Sequence, residues 1–444
     1  MVIFSHKKKK PTSFQVIILG FSVVILLGAI LLMLPAASRT GTRTAFFDAL
    51  FTATSAVCVT GLVIHDTVSY WSAFGQFVIL LLIQIGGMGV ITVAAAFAMI
   101  SGRRISLMQR STMQEAIAAP KVGGIVRLTN FIVKTTLLIE LMGAAVMAPI
   151  FCRDFGFKGL WLALFHSVSA FCNAGFDLMG AKSPFSSLTG YAAQPIINLA
   201  VMALIIVGGI GFLTWDDIRT NRLHFHKYRM QSKVILWTTA ILLFVPAVYF
   251  YFCEFVSLEP GERILVSAFQ AVTPRTAGFN TVNLTNLSEA GQWIIIVLML
   301  IGGSPGSTAG GMKTTTAAVL FATALSTFRQ REDTNFFGRR IETGVVRNAA
   351  TILLMYLVLF FTGGLIISIM EGLPVRICLF ETASAVGTVG LTLGITPALG
   401  SVSKLILILL MFLGRVGGLT LIFAALSGKK KTASRLPQEK ITVG

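Results

Sequence analysis

Charge is the first thing this 444-residue chain lacks: Asp, Glu, Lys and Arg make up 12% of it, against roughly 25% in a soluble domain. So little charge excludes an ordinary water-soluble surface. Acidic residues are scarcer than basic ones, 18 against 36, which leaves a net charge of +18. Cysteines are few. Cys58, Cys152, Cys172, Cys253 and Cys378 are odd in number and show no metal-ligand spacing, so they support neither a disulfide framework nor a zinc site. The apolar stretches contain no pairing of nucleophile with base and no metal cluster, so we expect no enzyme and no cofactor held by this chain.

What is abundant is apolar sequence. Hydrophobic residues make up 55% of the chain and mean hydropathy is +0.82, the composition of a polytopic membrane protein. The positive charge suggests nucleic acid only until its positions are read. Two thirds of the Lys and Arg lie in five clusters, at Lys7 to Lys10, Arg103 to Arg127, Arg219 to Lys233, Arg329 to Arg347 and Lys429 to Lys440. By the positive-inside rule these are cytoplasmic, as are both termini, and they face anionic lipid heads. No nucleic-acid partner is expected. The first apolar run, Phe14 to Leu34, is followed by Pro-Ala-Ala-Ser and imitates a secretory signal. At 21 residues it is long enough to span, so we expect a retained first helix.

Four segments repeat roughly every 110 residues, which marks an internal fourfold repeat. FTATSAVCVTGL places Gly61 ten residues after Phe51, FHSVSAFCNAGF places Gly175 ten after Phe165, and FETASAVGTVGL places Gly390 ten after Phe380. FQAVTPRTAGF places Gly278 nine after Phe269 and so lacks one residue. A Ser or Thr follows each Phe by four positions (Ser55, Ser169, Thr273, Ser384), and a large apolar residue follows each Gly (Leu62, Phe176, Phe279, Leu391). Thr388-Val389-Gly390-Leu391 is close to the T-V-G-Y-G run with which potassium channels replace the water shell of an ion by backbone carbonyls. The expected filter is Val59, Thr60 and Gly61; Asn173, Ala174 and Gly175; Thr276, Ala277 and Gly278; and Thr388, Val389 and Gly390. K+ is the only metal expected, and only there.

Each repeat reads as a helix, a short pore helix with its loop, and a second helix. We expect an all-α membrane protein of eight transmembrane helices, four parallel repeats around a pseudo-fourfold central pore. The repeats occupy 1–102, 103–216, 217–328 and 329–428, with a basic cytoplasmic tail over 429–444. First helices are predicted at Phe14 to Leu34, Leu128 to Ile150, Val234 to Phe252 and Val346 to Met370. Pore helices are predicted at Ala45 to Ala56, Gly159 to Ala170, Gly261 to Val272 and Val375 to Ala385. Second helices are predicted at Trp71 to Ile100, Pro195 to Leu213, Gln292 onward and Ser401 to Leu426. All repeats insert the same way, unlike the inverted repeats of many secondary transporters. The pore helices would then point their partly negative C-termini at the pore, favouring cations.

Glycines cluster in every second helix. At Gly86 to Gly89, Gly208 to Gly211 and Gly414 to Gly418 the expectation is close helix packing. The cluster GGSPGSTAGGMKTTT, Gly302 to Thr316, is too rich in Gly and Pro for a continuous helix, and broken backbone at that depth must be buried in protein or line water. We expect a movable gate beneath the filter, with Gly302, Gly303, Gly306, Gly310, Gly311 and Lys313 as its residues. The same residues approach a phosphate-loop pattern, but Met312 separates glycine from lysine and no soluble strand precedes them. Two readings of Lys313 stand, a tether to a carbonyl or acid and a marker of the loop's cytoplasmic end. Arg415 lies about 21 Å along its span at 1.5 Å per residue, where a guanidinium is costly; an electrostatic barrier is expected rather than snorkelling. Glu140 is expected to have a structural partner, and Lys134 to snorkel. Asp66, Asp177 and Asn280 follow the filter glycines at the outer mouth, where capping a loop and attracting cations are both open.

Four parallel repeats with single filter glycines and a glycine-rich break in the third resemble the Trk/Ktr/HKT superfamily of cation transporters over nearly the whole chain. Lacking the two additional amino-terminal helices of the TrkH type, the chain looks most like the KtrB branch, the membrane subunits of bacterial Ktr potassium uptake systems. The resemblance implies a bacterial plasma-membrane protein, a homodimer, a gate formed by the loop and Arg415, and a cytosolic KtrA-like ring of RCK domains that binds the nucleotide. In the plant branch a serine at the first filter glycine accompanies sodium selectivity, so Gly61 implies potassium. A sodium-coupled or sodium-permeable transporter of the same superfamily, or a transporter of another solute, is the alternative.

Overall fold

The computed structural model describes residues 12–101, 105–119, 123–181, 183–222 and 224–417. Among these, four helices are long and apolar enough to cross a membrane unaided: Ser13–Leu32, Ile125–Phe155, Met230–Glu254 and Thr343–Glu371. They are the first helices of the four repeats. Thr12 and Gln15 close the start of the first in a reciprocal capping box, satisfying donors that a helix end leaves open.

Each first helix packs on the pore helix of its own repeat: Phe46–Val57, Lys158–Phe171, Pro260–Val272 and Val375–Gly387. Packing between repeats is cyclic. The second helix of repeat 1, Ala73–Met88, lies on the second pore helix, and Pro195–Ile210 lies on the third. Glu289–Leu300 lies on the fourth, and Ser401–Val416 returns to the first. The protein is therefore an all-α membrane bundle of four like-oriented repeats closed around one axis. Phe51, Phe165, Phe269 and Phe380, and the residues after the filter glycines, Leu62, Phe176, Phe279 and Leu391, are all at most 1% exposed, so the repeated apolar pattern is the packing of the pore helices.

The second helices of repeats 1 and 2 are not the continuous spans the sequence predicts. The first breaks at Gly89 (φ 86°) and the second at Gly211 (φ 102°), with bends of 95° and 96°. A left-handed residue ends the i to i−4 hydrogen-bond ladder, and glycine adopts it without the Cβ clash. The fourth ends at Gly417 (φ 86°); the rest of its predicted length, 418–426, lies outside the described residues. The packing expectation holds at the front of the same clusters. A Cβ added to Gly86, Gly208 or Gly414 would overlap the carbonyl of Val57, Phe171 or Val386, at the end of that repeat's pore helix. Two features of the basic loops were not predicted. One is a helix at Leu107–Ile117 with a Ser106/Gln109 capping box; the other is a hairpin pairing Asn335–Phe336 with Arg339–Arg340.

Phe380 is fully buried in the fourth pore helix, which packs on both the first and the second helix of its repeat. Phe380→Ala should destabilise the protein by about 3–5 kcal/mol, read as a lowered melting temperature of the purified protein in detergent.

Candidate functional site: the glycine ring and the loop beneath it

Each pore helix runs directly into its glycine segment, and the backbone there repeats four times. The residue two before the glycine is left-handed in every copy: Val59 (φ 54°), Asn173 (58°), Thr276 (67°) and Thr388 (52°). The glycines follow at 89°, 68°, 84° and 92°. Successive carbonyls of a strand point to opposite sides; left-handed residues interrupt that alternation and let neighbouring carbonyls turn the same way.

The four glycines form a closed ring. A Cβ on Gly61 would stand 2.5 Å from the carbonyl oxygen of Ala174, and one on Gly175 would stand 2.6 Å from that of Ala277. On Gly278 it would overlap the carbonyl of Val389, and on Gly390 that of Thr60. Every predicted filter glycine thus abuts the carbonyl preceding the next one, in the order of the repeats. The third copy joins despite its missing residue. Its pore helix ends at Val272, and the amides of Ala277 and Gly278 both turn back to the Thr273 carbonyl, at 3.0 and 3.4 Å. Asn173 meets the Thr276 hydroxyl across the repeat boundary at 3.2 Å.

The repeated Ser/Thr holds these segments. Ser55 and Ser384 accept hydrogen bonds from the amides of Gly61 and Gly390, at 3.1 and 2.9 Å. Ser169 and Thr273 instead donate to the carbonyls of Phe176 and Phe279, at 2.7 and 2.6 Å. The hydroxyls of Thr60 and Thr388 are buried yet bonded to no protein atom. Sequence reasoning missed Arg275, a buried guanidinium in the shortened third segment. Its protein partner is the Thr239 hydroxyl at 3.4 Å, and its Nε is unpartnered. The signal was present, since the position three before the filter glycine is Cys58, Cys172 and Gly387 in the other copies.

The predicted break is real: no helix runs from Ile301 to Lys313. The segment folds back on itself, with the Gly302 amide donating to the Met312 carbonyl (2.8 Å) and the Thr314 amide to that of Gly303 (3.0 Å). It is fastened to two other glycine clusters. The amides of Ser304 and Thr308 donate to the Gly209 and Gly208 carbonyls at 3.0 and 3.2 Å, and the Gly311 amide donates to that of Gly414 at 3.2 Å. The loop lies against the start of the fourth glycine segment. A Cβ on Gly310 would strike the Thr388 side chain, and one on Gly311 would sit 2.9 Å from the Gly387 carbonyl. Gly306 (φ 64°) approaches the Ile117 carbonyl at the end of the unpredicted helix. A cavity of about 340 Å³ beside the loop is lined by Glu115, Gly306, Lys313, Tyr356 and Arg415, among others.

Both cations of this region point into it. Lys313 donates to the carbonyls of Ala309 (2.8 Å) and Gly310 (3.2 Å), which selects the tether. Arg415 donates to the carbonyls of Thr308 in the loop and of Gly86 and Gly87 in repeat 1, so it does not snorkel. Glu140 is buried and accepts from Gln84 at 3.1 Å. Beyond the ring glycines, Asp66 accepts from the Ser69 and Phe185 amides (2.9 and 3.0 Å) and Asp177 from that of Met179 (3.0 Å); both cap loops. The Asn280 amide donates to Ser187 at 3.0 Å. Among the described residues no three His, Cys, Asp or Glu gather to hold a metal.

Residues 4–432 match the family model TrkH, described as "Cation transport protein". The chain is 39% identical to the potassium/sodium uptake protein NtpJ of Enterococcus hirae, over 98% of each chain. It is 37% identical to the Ktr system potassium uptake protein B of Bacillus subtilis, over 97% of this chain and 96% of that one. With the protein of the same name from Vibrio alginolyticus the identity is 35%, over 98% and 96%. Its fold matches the crystal structure of the potassium transporter TrkH from Vibrio parahaemolyticus with a TM-score of 0.73, at 19% identity, covering 94% of this chain and 86% of that one. Four parallel repeats, a closed glycine ring and this near-complete match together place the chain in the TrkH family of cation transport proteins, as a multi-pass membrane protein.

Proposed function

We propose that the protein takes up potassium across the bacterial cell membrane through the glycine ring. The observation that carries this reading is the closure of four left-handed glycines onto one another's carbonyls, a geometry that presents main-chain oxygen to a dehydrated ion. The filter is Val59 to Gly61, Asn173 to Gly175, Thr276 to Gly278 and Thr388 to Gly390, with K+ as substrate. Four pore helices ending at this ring add their negative ends to the cation's environment. Two similar proteins are named for potassium uptake, and a third for potassium and sodium. That third name supports a second reading, in which sodium also permeates or is coupled.

The gate is the 301–313 loop with Arg415. The guanidinium places a positive charge under the filter and bonds loop and repeat 1 together, so opening has to break its charge-assisted contacts and those to Gly208, Gly209 and Gly414. The working assembly is a homodimer with cytoplasmic termini, on which a cytosolic KtrA-like RCK ring binds the nucleotide and moves the loop. The basic loops face lipid heads.

Two measurements on the protein in liposomes test this. Gly61→Ser and Gly390→Ser force a side chain against a neighbouring carbonyl at positive φ, and should reduce the preference for K+ over Na+ in competition against rubidium uptake by about tenfold. Unchanged competition curves contradict the filter. Arg415→Ala, or removal of residues 306–311, should raise rubidium flux severalfold; a folded variant that conducts no better than wild type counts against the gate.

A further inference from the structure

Aligning the repeats exposes one more position, the residue after each buried phenylalanine: Thr52, His166, Gln270 and Glu381. All four are at most 2% exposed. A buried polar group without a partner costs about 1–3 kcal/mol, so each needs an account of its hydrogen bonds.

Two of them reach past the filter. His166 Nδ1 bonds the Leu162 carbonyl at 2.7 Å, and its Nε2 accepts from the amide of Leu178, three residues beyond Gly175, at 3.3 Å. The amide can only donate, so Nε2 is the bare nitrogen and Nδ1 carries the hydrogen. Glu381 accepts from the hydroxyl of Thr392, two residues beyond Gly390, at 2.9 Å, and from that of Thr396. Thr392 in turn accepts from the Gly394 amide at 2.9 Å. Repeat 1 achieves the same from one turn earlier. There Thr52 bonds only its own helix at Asp48, while Asp48 reaches His65, four residues beyond Gly61, at 3.2 Å. In repeat 3 both amide atoms of Gln270, with Asn280 Oδ1 and Thr281 Oγ1 beyond Gly278, have no protein partner. That segment leans on repeat 2 instead, through Ser187 and Leu188.

We propose that His166 and Glu381 are positioning residues that hold the outer side of the second and fourth filter segments, and that these tethers set the discrimination between alkali cations. Ser384 grips Gly390 from the inner side and Glu381 grips Thr392 from the outer side, so the glycine is clamped between two points of one pore helix. A ring clamped in this way resists contracting onto a smaller ion. Released at its outer end, it follows the ion's size and discriminates less.

This inference rests on the filter reading and is tested beside it. In the full-length protein in liposomes, with rubidium uptake competed by K+ or Na+, Glu381→Met and His166→Phe should each reduce the preference for K+ over Na+ by about tenfold, while maximal flux is retained. Glu381→Gln, which keeps an acceptor for Thr392, should stay within about twofold of wild type. Thr392→Val removes the same tether from a partly exposed residue, so it reads the effect even where Glu381→Met fails to assemble. Wild-type discrimination in Thr392→Val and His166→Phe overturns the proposal, as does a Glu381→Gln variant as impaired as Glu381→Met. Gly390→Ser run in parallel separates the two readings: if it alone shifts the curves, only the tethers fall, and if it too is silent, the filter reading falls with them.

Discussion

The contact on which the rest of the structure depends is the approach of each ring glycine to the carbonyl that precedes the next. Four such approaches close a ring, and each leaves no room for a Cβ. Backbone arranged in this way cannot form a helix or a sheet, so its amides must be satisfied from elsewhere. The pore helices do this. Ser55 and Ser384 take the glycine amides directly, while the amides of Thr60, Ala174 and Val389 turn back to the carbonyls of Ser55, Ser169 and Ser384. Each pore helix, with its buried phenylalanine, packs on its own first helix, and the second helices bind one repeat to the next in a circle. Rigid helices thus support an irregular segment that is not stable alone.

The same logic governs the space below. The 301–313 loop offers amides and carbonyls at a depth where lipid can satisfy none of them, and the glycine clusters of repeats 2 and 4, with Arg415, supply partners. Glycine serves twice in these clusters. Its missing side chain lets Gly86, Gly208 and Gly414 lie on the ends of the pore helices, and its left-handed backbone at Gly89 and Gly211 turns the helix away by more than 90°. Arg415 is expensive in the membrane interior and is held there by the carbonyls of Thr308, Gly86 and Gly87.

Much of this was legible in the chain. Four copies of one pattern were enough to place Gly61, Gly175, Gly278 and Gly390 in one ring, because equivalent segments of a closed repeat must meet at its axis. The crowding of Gly and Pro in Gly302 to Thr316 was enough to break the third span. What stayed hidden was orientation. A glycine cluster reads the same whether it packs a helix or bends it, so the breaks at Gly89 and Gly211 were missed. The helix Leu107–Ile117 sits in a polar, basic loop with no strong apolar period, and only its capping box announces it. Arg275 passed unnoticed because burial is not visible in a short loop.

The sequence by itself determined what recurs: the membrane class, the fourfold repeat, the positions of the ring glycines and the site of the break. These follow from composition, spacing and charge, which are local quantities. Only the tertiary structure decided what each group meets: Arg415 with carbonyls from two repeats, Lys313 with its own loop, Asp66 with backbone amides, and His166 and Glu381 with residues beyond the ring glycines. Those partners lie up to hundreds of residues away along the chain, and a hydrogen bond is set by distance and direction in space, which no local pattern encodes.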